Sequence, residues 1–128
     1  MGALLSPALY RDFLLENERR YCGSYRYTLT HLHPSSFHLL DDILSNENLK
    51  AVEINKDSGG PTVKEMLPFY LKVLESKRCL VIWGDLNEEE LQLVIDNVPL
   101  KGVFFNLVLP DCESAKRIQS FLNSRSII

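Results

Sequence analysis

Two histidines, His31 and His33, sit two residues apart in the segment Thr30-His31-Leu32-His33-Pro34. Alternate residues of an extended chain share a face, so both imidazoles can turn toward one metal ion or one anionic ligand. The plainer reading has one histidine capping a loop and the other packing beside Pro34. Glu53 and Asn55 alternate in the same way on the otherwise apolar run Leu49–Asn55. A carboxylate on that face can act as a general base or orient a substrate. Asp57, two residues on, is read as closing a turn. Trp83 and Asp85 end a third apolar run that starts at Cys79. The indole offers a flat wall or fills a core, and Asp85 either handles a proton or serves the next helix start. Asn106 lies near the end of a fourth run, with Asp111 and Cys112 just beyond. His38 is expected on a helix surface. No Walker loop, GxGxxG, HExxH, GxSxG or CxxC pattern is present, and Ser58-Gly59-Gly60-Pro61 is a weak phosphate-turn signal.

Each polar tip terminates a short strand-like run and precedes a helix start. The clearest unit is Cys79–Glu90: an apolar run too short for a helix, then Gly84-Asp85, then Asn87 with Glu90 three residues later, the capping-box spacing. Thr62 and Glu65 repeat that spacing ahead of a helix through about Ser76, although Pro68 conflicts with it. Either that helix begins near Leu67 or it is kinked. Strands are expected from Tyr25 to Leu32, Leu49 to Ile54, Cys79 to Trp83 and Gly102 to Leu109, the last apolar on both faces. Ser35 or Ser36 caps the second helix and Asp111 the last. Ser6-Pro7 begins a leading helix to about Arg20, closed by Gly23 in a left-handed cap. These units describe an α/β protein with a parallel sheet. It is either a small open sheet covered on both sides or half of an eightfold (β/α) barrel. In both, polar strand tips gather at the carboxyl edge. A free half-barrel would leave edges and an apolar face exposed, which favours pairing with another chain.

The chain has 128 residues, 45% of them hydrophobic, and a formal net charge of -3. One domain with one core is expected. The charge gives no basic footprint for nucleic acid or for an anionic membrane. Met1–Leu5 is apolar but lacks a basic flank, so no signal peptide or membrane span is expected. Cys22, Cys79 and Cys112 are odd in number, which suits a reducing, cytoplasmic setting, with Cys79 packed in a buried strand.

Leu5–Tyr21 (LSPALYRDFLLENERRY), Thr30–Ser36 (THLHPSS) and the long stretch Leu39–Asp85, containing EMLPFYLKVLE and CLVIWGD, occur in an order that resembles the carboxy-terminal half of the uroporphyrinogen decarboxylase-like superfamily. That superfamily includes the corrinoid-linked methyltransferases, and the likeness covers nearly the whole chain. It implies one domain, residues 1–128: a parallel four-stranded (βα)4 unit, half of a TIM-type barrel, preceded by one helix. It also implies a pocket at the strand ends for a tetrapyrrole, or for methyl transfer between a corrinoid and a thiol. Zinc-dependent members hold the metal with a His-x-Cys pair and a later Cys. Here the resemblance places His31 on the His, His33 in place of the first Cys, and Cys112 near the second. The amino-terminal half that supplies the catalytic aspartate of the decarboxylases has no counterpart in this sequence, so decarboxylation by this chain alone is not expected.

The expectation is therefore a small-ligand-binding half-barrel. Its catalytic residues are Glu53 and Asp85, its ligand contacts are His31, His33, Asn55, Trp83 and Asn106, and zinc is its candidate metal at His31, His33 and Cys112. The alternative is a non-catalytic domain that dimerises or pairs with a separate amino-terminal half-barrel.

Overall fold

The computed structural model describes residues 4–125. The expectations for Met1–Ala3 and for the tail at 126–128 lie outside the described residues. Four strands, β1 (Leu29–Leu32), β2 (Ala51–Asn55), β3 (Cys79–Gly84) and β4 (Val103–Leu107), form one sheet in the order β1-β2-β3-β4. All three pairings are parallel. Successive right-handed crossovers in one direction put every connecting helix on the same side of a sheet. Strand order and burial agree with that rule. Val52, Ile54, Leu80 and Ile82 are fully buried on one face, whereas Leu29 and Phe104 are 51% and 64% exposed on the other. This is half of a (β/α) barrel, with helices outside and the inner face of the sheet bare.

The leading helix comprises α1 (Pro7–Tyr10), a π-helical turn (Arg11–Leu15) and α2 (Glu16–Gly23). Ser6 caps it as expected, its hydroxyl accepting from the Leu9 amide at 3.2 Å. Gly23 does not adopt a left-handed conformation, and the cap is Ser24 at φ -84°. Tyr25 to Tyr27 lie outside β1. Both tyrosines are highly exposed, so the aromatic alternation there does not mark a paired strand. After β1, a 3-10 turn (Pro34–Leu39) runs into the short α3 (Leu40–Leu44), and neither Ser35 nor Ser36 supplies a side-chain cap.

The two capping boxes form where the sequence placed them. Thr62 and Glu65 start α4 (Val63–Glu75), and Asn87 and Glu90 start α5 (Glu88–Asn97). α4 thus begins at Val63 and not near Leu67, and Pro68 lies inside it on the exposed side, where it leaves the Lys64 carbonyl without its helical donor. Asp111 caps α6 (Cys112–Ser124), its carboxylate accepting from the Ser114 amide at 2.7 Å. Val63, Met66, Tyr70 and Val73 of α4 and Leu91 and Val94 of α5 turn inward at helical spacing and close the core on β2 and β3. Each such side chain contributes about 1.5–3 kcal/mol by leaving water. Cys79 is exposed and not buried as expected, because it opens β3 on the bare face. For the same reason β4 is not apolar on both faces: Phe104 and Asn106 point to the open side. Among the described residues no helix is long and apolar enough to cross a membrane.

Candidate functional site: an imidazole–carboxylate chain at the strand ends

Register decides which polar tips meet. His31 of β1 pairs with Glu53 of β2, Asn55 pairs with Trp83 of β3, and Trp83 pairs with Asn106 of β4. All five lie on the bare face, since side chains at paired and alternate positions share a side.

His31 Nδ1 donates to Glu53 Oε1 at 2.7 Å. His33 Nδ1 donates to Asp57 Oδ1 at 2.7 Å. The two Nε2 atoms lie 3.1 Å apart. The result is a continuous chain, Glu53–His31–His33–Asp57. An ionised carboxylate only accepts hydrogen bonds, so each Nδ1 carries its hydrogen. A neutral imidazole of that tautomer brings a bare lone pair at Nε2. Two lone pairs at this distance attract only when a cation, a shared proton being the smallest, stands between them.

Asn55 Nδ2 donates to the same oxygen of Asp57 and lies 3.3 Å from His33 Nδ1. This holds Asp57 beside the second histidine. The Trp83 ring meets the His31 ring edge-on, centroids 5.3 Å apart at 65°, an arrangement the ring quadrupoles favour. The site is half-open: Glu53 has 18% of its side chain exposed, His31 35% and His33 48%. His31 and His33 also border a cavity of about 380 Å³ between β1 and the leading helix, lined further by Tyr10, Glu18 and Leu39. That volume is within the range of small-ligand pockets. At its wall the Tyr10 hydroxyl donates to Glu18. Burial above all, and then this carboxylate, push the Tyr10 phenol well above its ordinary value, so it stays a donor.

Thus the structure gathers His31, His33, Glu53, Asn55 and Trp83. Asn106 shares their face at the next register position but makes no hydrogen bond to them. Asp85 is not joined to the cluster. Its side chain makes no hydrogen bond to the cluster, its backbone carbonyl accepts from Lys56 Nζ at 2.7 Å, and the residue borders one groove with Leu86, Glu88 and Arg117 and another with Asp57 and Glu90. Cys112 is not gathered either. Among the described residues no three His, Cys, Asp or Glu side chains converge in a metal-binding arrangement. The reason is topological: Cys112 follows β4, and three strand spacings, about 14 Å, separate β4 from β1. The set His31, His33 and Cys112 does not assemble.

Two contributors were missed. Asp57 continues the alternation Glu53, Asn55, Asp57, a signal the sequence carried but a turn assignment obscured. Lys56 donates to Glu90 Oε2 at 2.7 Å as well as to Asp85, tying the end of β2 to the start of α5. No spacing rule links a lysine to a glutamate 34 residues later. His38 is exposed as expected, a ring nitrogen donating to the Leu5 carbonyl at 2.8 Å.

Comparison of the chain with family models, with curated proteins and with solved structures returns no match.

Proposed function

We propose that this chain is a small-ligand-binding half-barrel of the uroporphyrinogen decarboxylase-like superfamily, acting at the carboxyl ends of β1–β3. The observation that carries the reading is the hydrogen-bonded chain Glu53–His31–His33–Asp57 beside a ligand-sized cavity and an indole. Such a chain can take up and release a proton at its centre, because each imidazole has its Nδ1 fixed as a donor to a carboxylate and its acceptor Nε2 turned toward the other. The ligand class proposed with it is a tetrapyrrole or corrinoid, whose flat ring suits the Trp83 side of the open face. If the site turns over, the reaction is methyl transfer from a methylated corrinoid to a thiol, the imidazole pair taking the thiol proton and Glu53 holding His31 in the required tautomer.

Trp83 is the single tryptophan of the chain, so its fluorescence reports the site directly. Titration with coproporphyrin and with hydroxocobalamin is expected to quench it saturably with at least one of the two. The His31→Ala,His33→Ala double variant is expected to bind about 10–100-fold more weakly, the equivalent of one or two lost charge-assisted hydrogen bonds. Absence of saturable quenching with both probes, or unchanged affinity in the variant, overturns the proposal.

A second reading is favoured by the exposed Leu29 and Phe104 on the bare face. In it the domain is not catalytic by itself and buries that face against another half-barrel, either a second copy or a separate chain.

A further inference from the structure

We infer that His31 and His33 form a two-coordinate protein site for a borderline divalent transition metal ion, bound through their Nε2 atoms and completed by water or ligand, with no cysteine taking part. The inference deepens the proposed function, on whose site it rests, and departs from the His-His-Cys set in both the number and the type of donors.

Four observations carry it. First, both Nδ1 atoms are already engaged by carboxylates at 2.7 Å. Metal-ligating histidines characteristically donate their second nitrogen to a carboxylate in this way, which fixes the tautomer and strengthens the free nitrogen as a donor. Both histidines here are so prepared.

Second, the Nε2 atoms are 3.1 Å apart. An ion about 2.05 Å from each nitrogen would subtend an angle of about 98° between them, between the octahedral and tetrahedral values. The rings lie 4.7 Å apart between centroids and 77° apart in plane, so they approach edge-on and do not stack. The ion enters with only a small adjustment of either side chain.

Third, charge favours a dication. Glu53 and Asp57 bring two negative charges to a pair of imidazoles. A single shared proton leaves the four groups with one net negative charge, and a divalent ion brings them to zero. Lys56, next to Asn55 in the chain, turns away to Glu90 and the Asp85 carbonyl and supplies no competing cation.

Fourth, the frame is rigid where it matters. His31 is locked in the β1–β2 ladder opposite Glu53, His33 is followed by Pro34, and Asp57 is held by Asn55. Imidazole donors select Zn²⁺, Ni²⁺ and Cu²⁺ over Mg²⁺ and Ca²⁺, which prefer oxygen. Two protein ligands leave coordination positions open, and both imidazoles are partly exposed, so water or a thiol can reach them.

The test uses the full chain, stripped with a chelator and dialysed into chelator-free buffer. Calorimetric titration with Zn²⁺ is expected to give one site per chain, and Ni²⁺ to quench Trp83, whose ring is 5.3 Å from that of His31. His31→Ala and His33→Ala are each expected to weaken Zn²⁺ binding by 100-fold or more. Glu53→Gln, which keeps both ligands and the shape of the site, should weaken it by about 10–100-fold. Cys112→Ser and His38→Ala should leave it unchanged. Circular dichroism shows whether each variant is folded, and Glu53→Gln carries the test where an alanine variant is not. No saturable 1:1 binding, binding that survives loss of either histidine, or binding lost in Cys112→Ser overturns the inference. Porphyrin or cobalamin binding without Zn²⁺ binding would sink only this inference. Zn²⁺ binding without either would sink only the tetrapyrrole reading.

Discussion

Gly84 shows how one backbone position protects the site. It ends β3 at φ +139°, a conformation side chains rarely adopt, and a Cβ there would come within 3.0 Å of Lys56 Cβ and 3.2 Å of the Lys56 carbonyl. The β2 and β3 ends can therefore close together only around glycine, and the Lys56 amide then donates to the Trp83 carbonyl at 2.8 Å. Gly84→Ala is expected to lower the unfolding free energy by about 1–3 kcal/mol in urea titration, from backbone strain and the clash with Lys56. At this scale the sequence was partly readable. The i, i+2 spacing of His31 with His33 and of Glu53 with Asn55 places each pair on one face, and the structure agrees. What spacing could not supply is which pair stands beside which. The register of His31 on Glu53 comes from parallel pairing between segments 22 residues apart, and no local rule encodes it.

At the scale of elements, helix starts were the most legible features, because caps are local chemistry. Thr62 and Glu65 satisfy each other's amides: Thr62 N donates to Glu65 Oε2 at 2.8 Å, and Glu65 N to Thr62 Oγ1 at 3.3 Å. The Thr62 amide above all, with its hydroxyl, holds the Glu65 carboxyl below its ordinary value, and the Ser114 amide does the same for Asp111. A carboxyl whose value is lower in the folded chain stabilises it fully above the unfolded value and loses that contribution as pH falls through the folded value. Thermal stability is thus expected to decline on acidification across and below the ordinary carboxylate range. The Glu65→Gln,Asp111→Asn double variant should show a shallower acid decline, measured by melting at stepped pH. A slope equal to the parent's would remove these caps from the acid response. Strand limits were less legible. Tyr25–Tyr27 carries strand-like residues yet stays outside the sheet, and Val103–Leu107 alternates in exposure because the open face gives Phe104 nothing to pack on. Propensity reports what a residue tolerates, and only the partner surface decides what it does.

For the whole molecule, the choice between a sheet covered on both sides and a half-barrel turned on strand order, which composition does not reveal. The order β1-β2-β3-β4 settles it: the helices share one side, and the other side carries both the imidazole chain and the exposed Leu29 and Phe104. Both outer edges, along β1 and β4, keep unpaired backbone groups. Multi-angle light scattering at micromolar concentration is expected to find a dimer. Phe104→Asp, which puts a charge on the bare face, should shift it to monomer while leaving the fold intact by circular dichroism. A parent chain that is monomeric throughout would end the argument from the exposed face and leave the ligand site standing alone.

The agreement between order along the chain and order across the sheet has a kinetic side. Each strand hydrogen-bonds only to the one made just before it and the one made just after, so no segment must wait for a distant one to be synthesised. Each closure spans a single crossover, His31 and Glu53 being 22 positions apart, and closure entropy grows only slowly with such lengths. A nascent chain leaving the ribosome can add one strand and helix at a time to a growing edge.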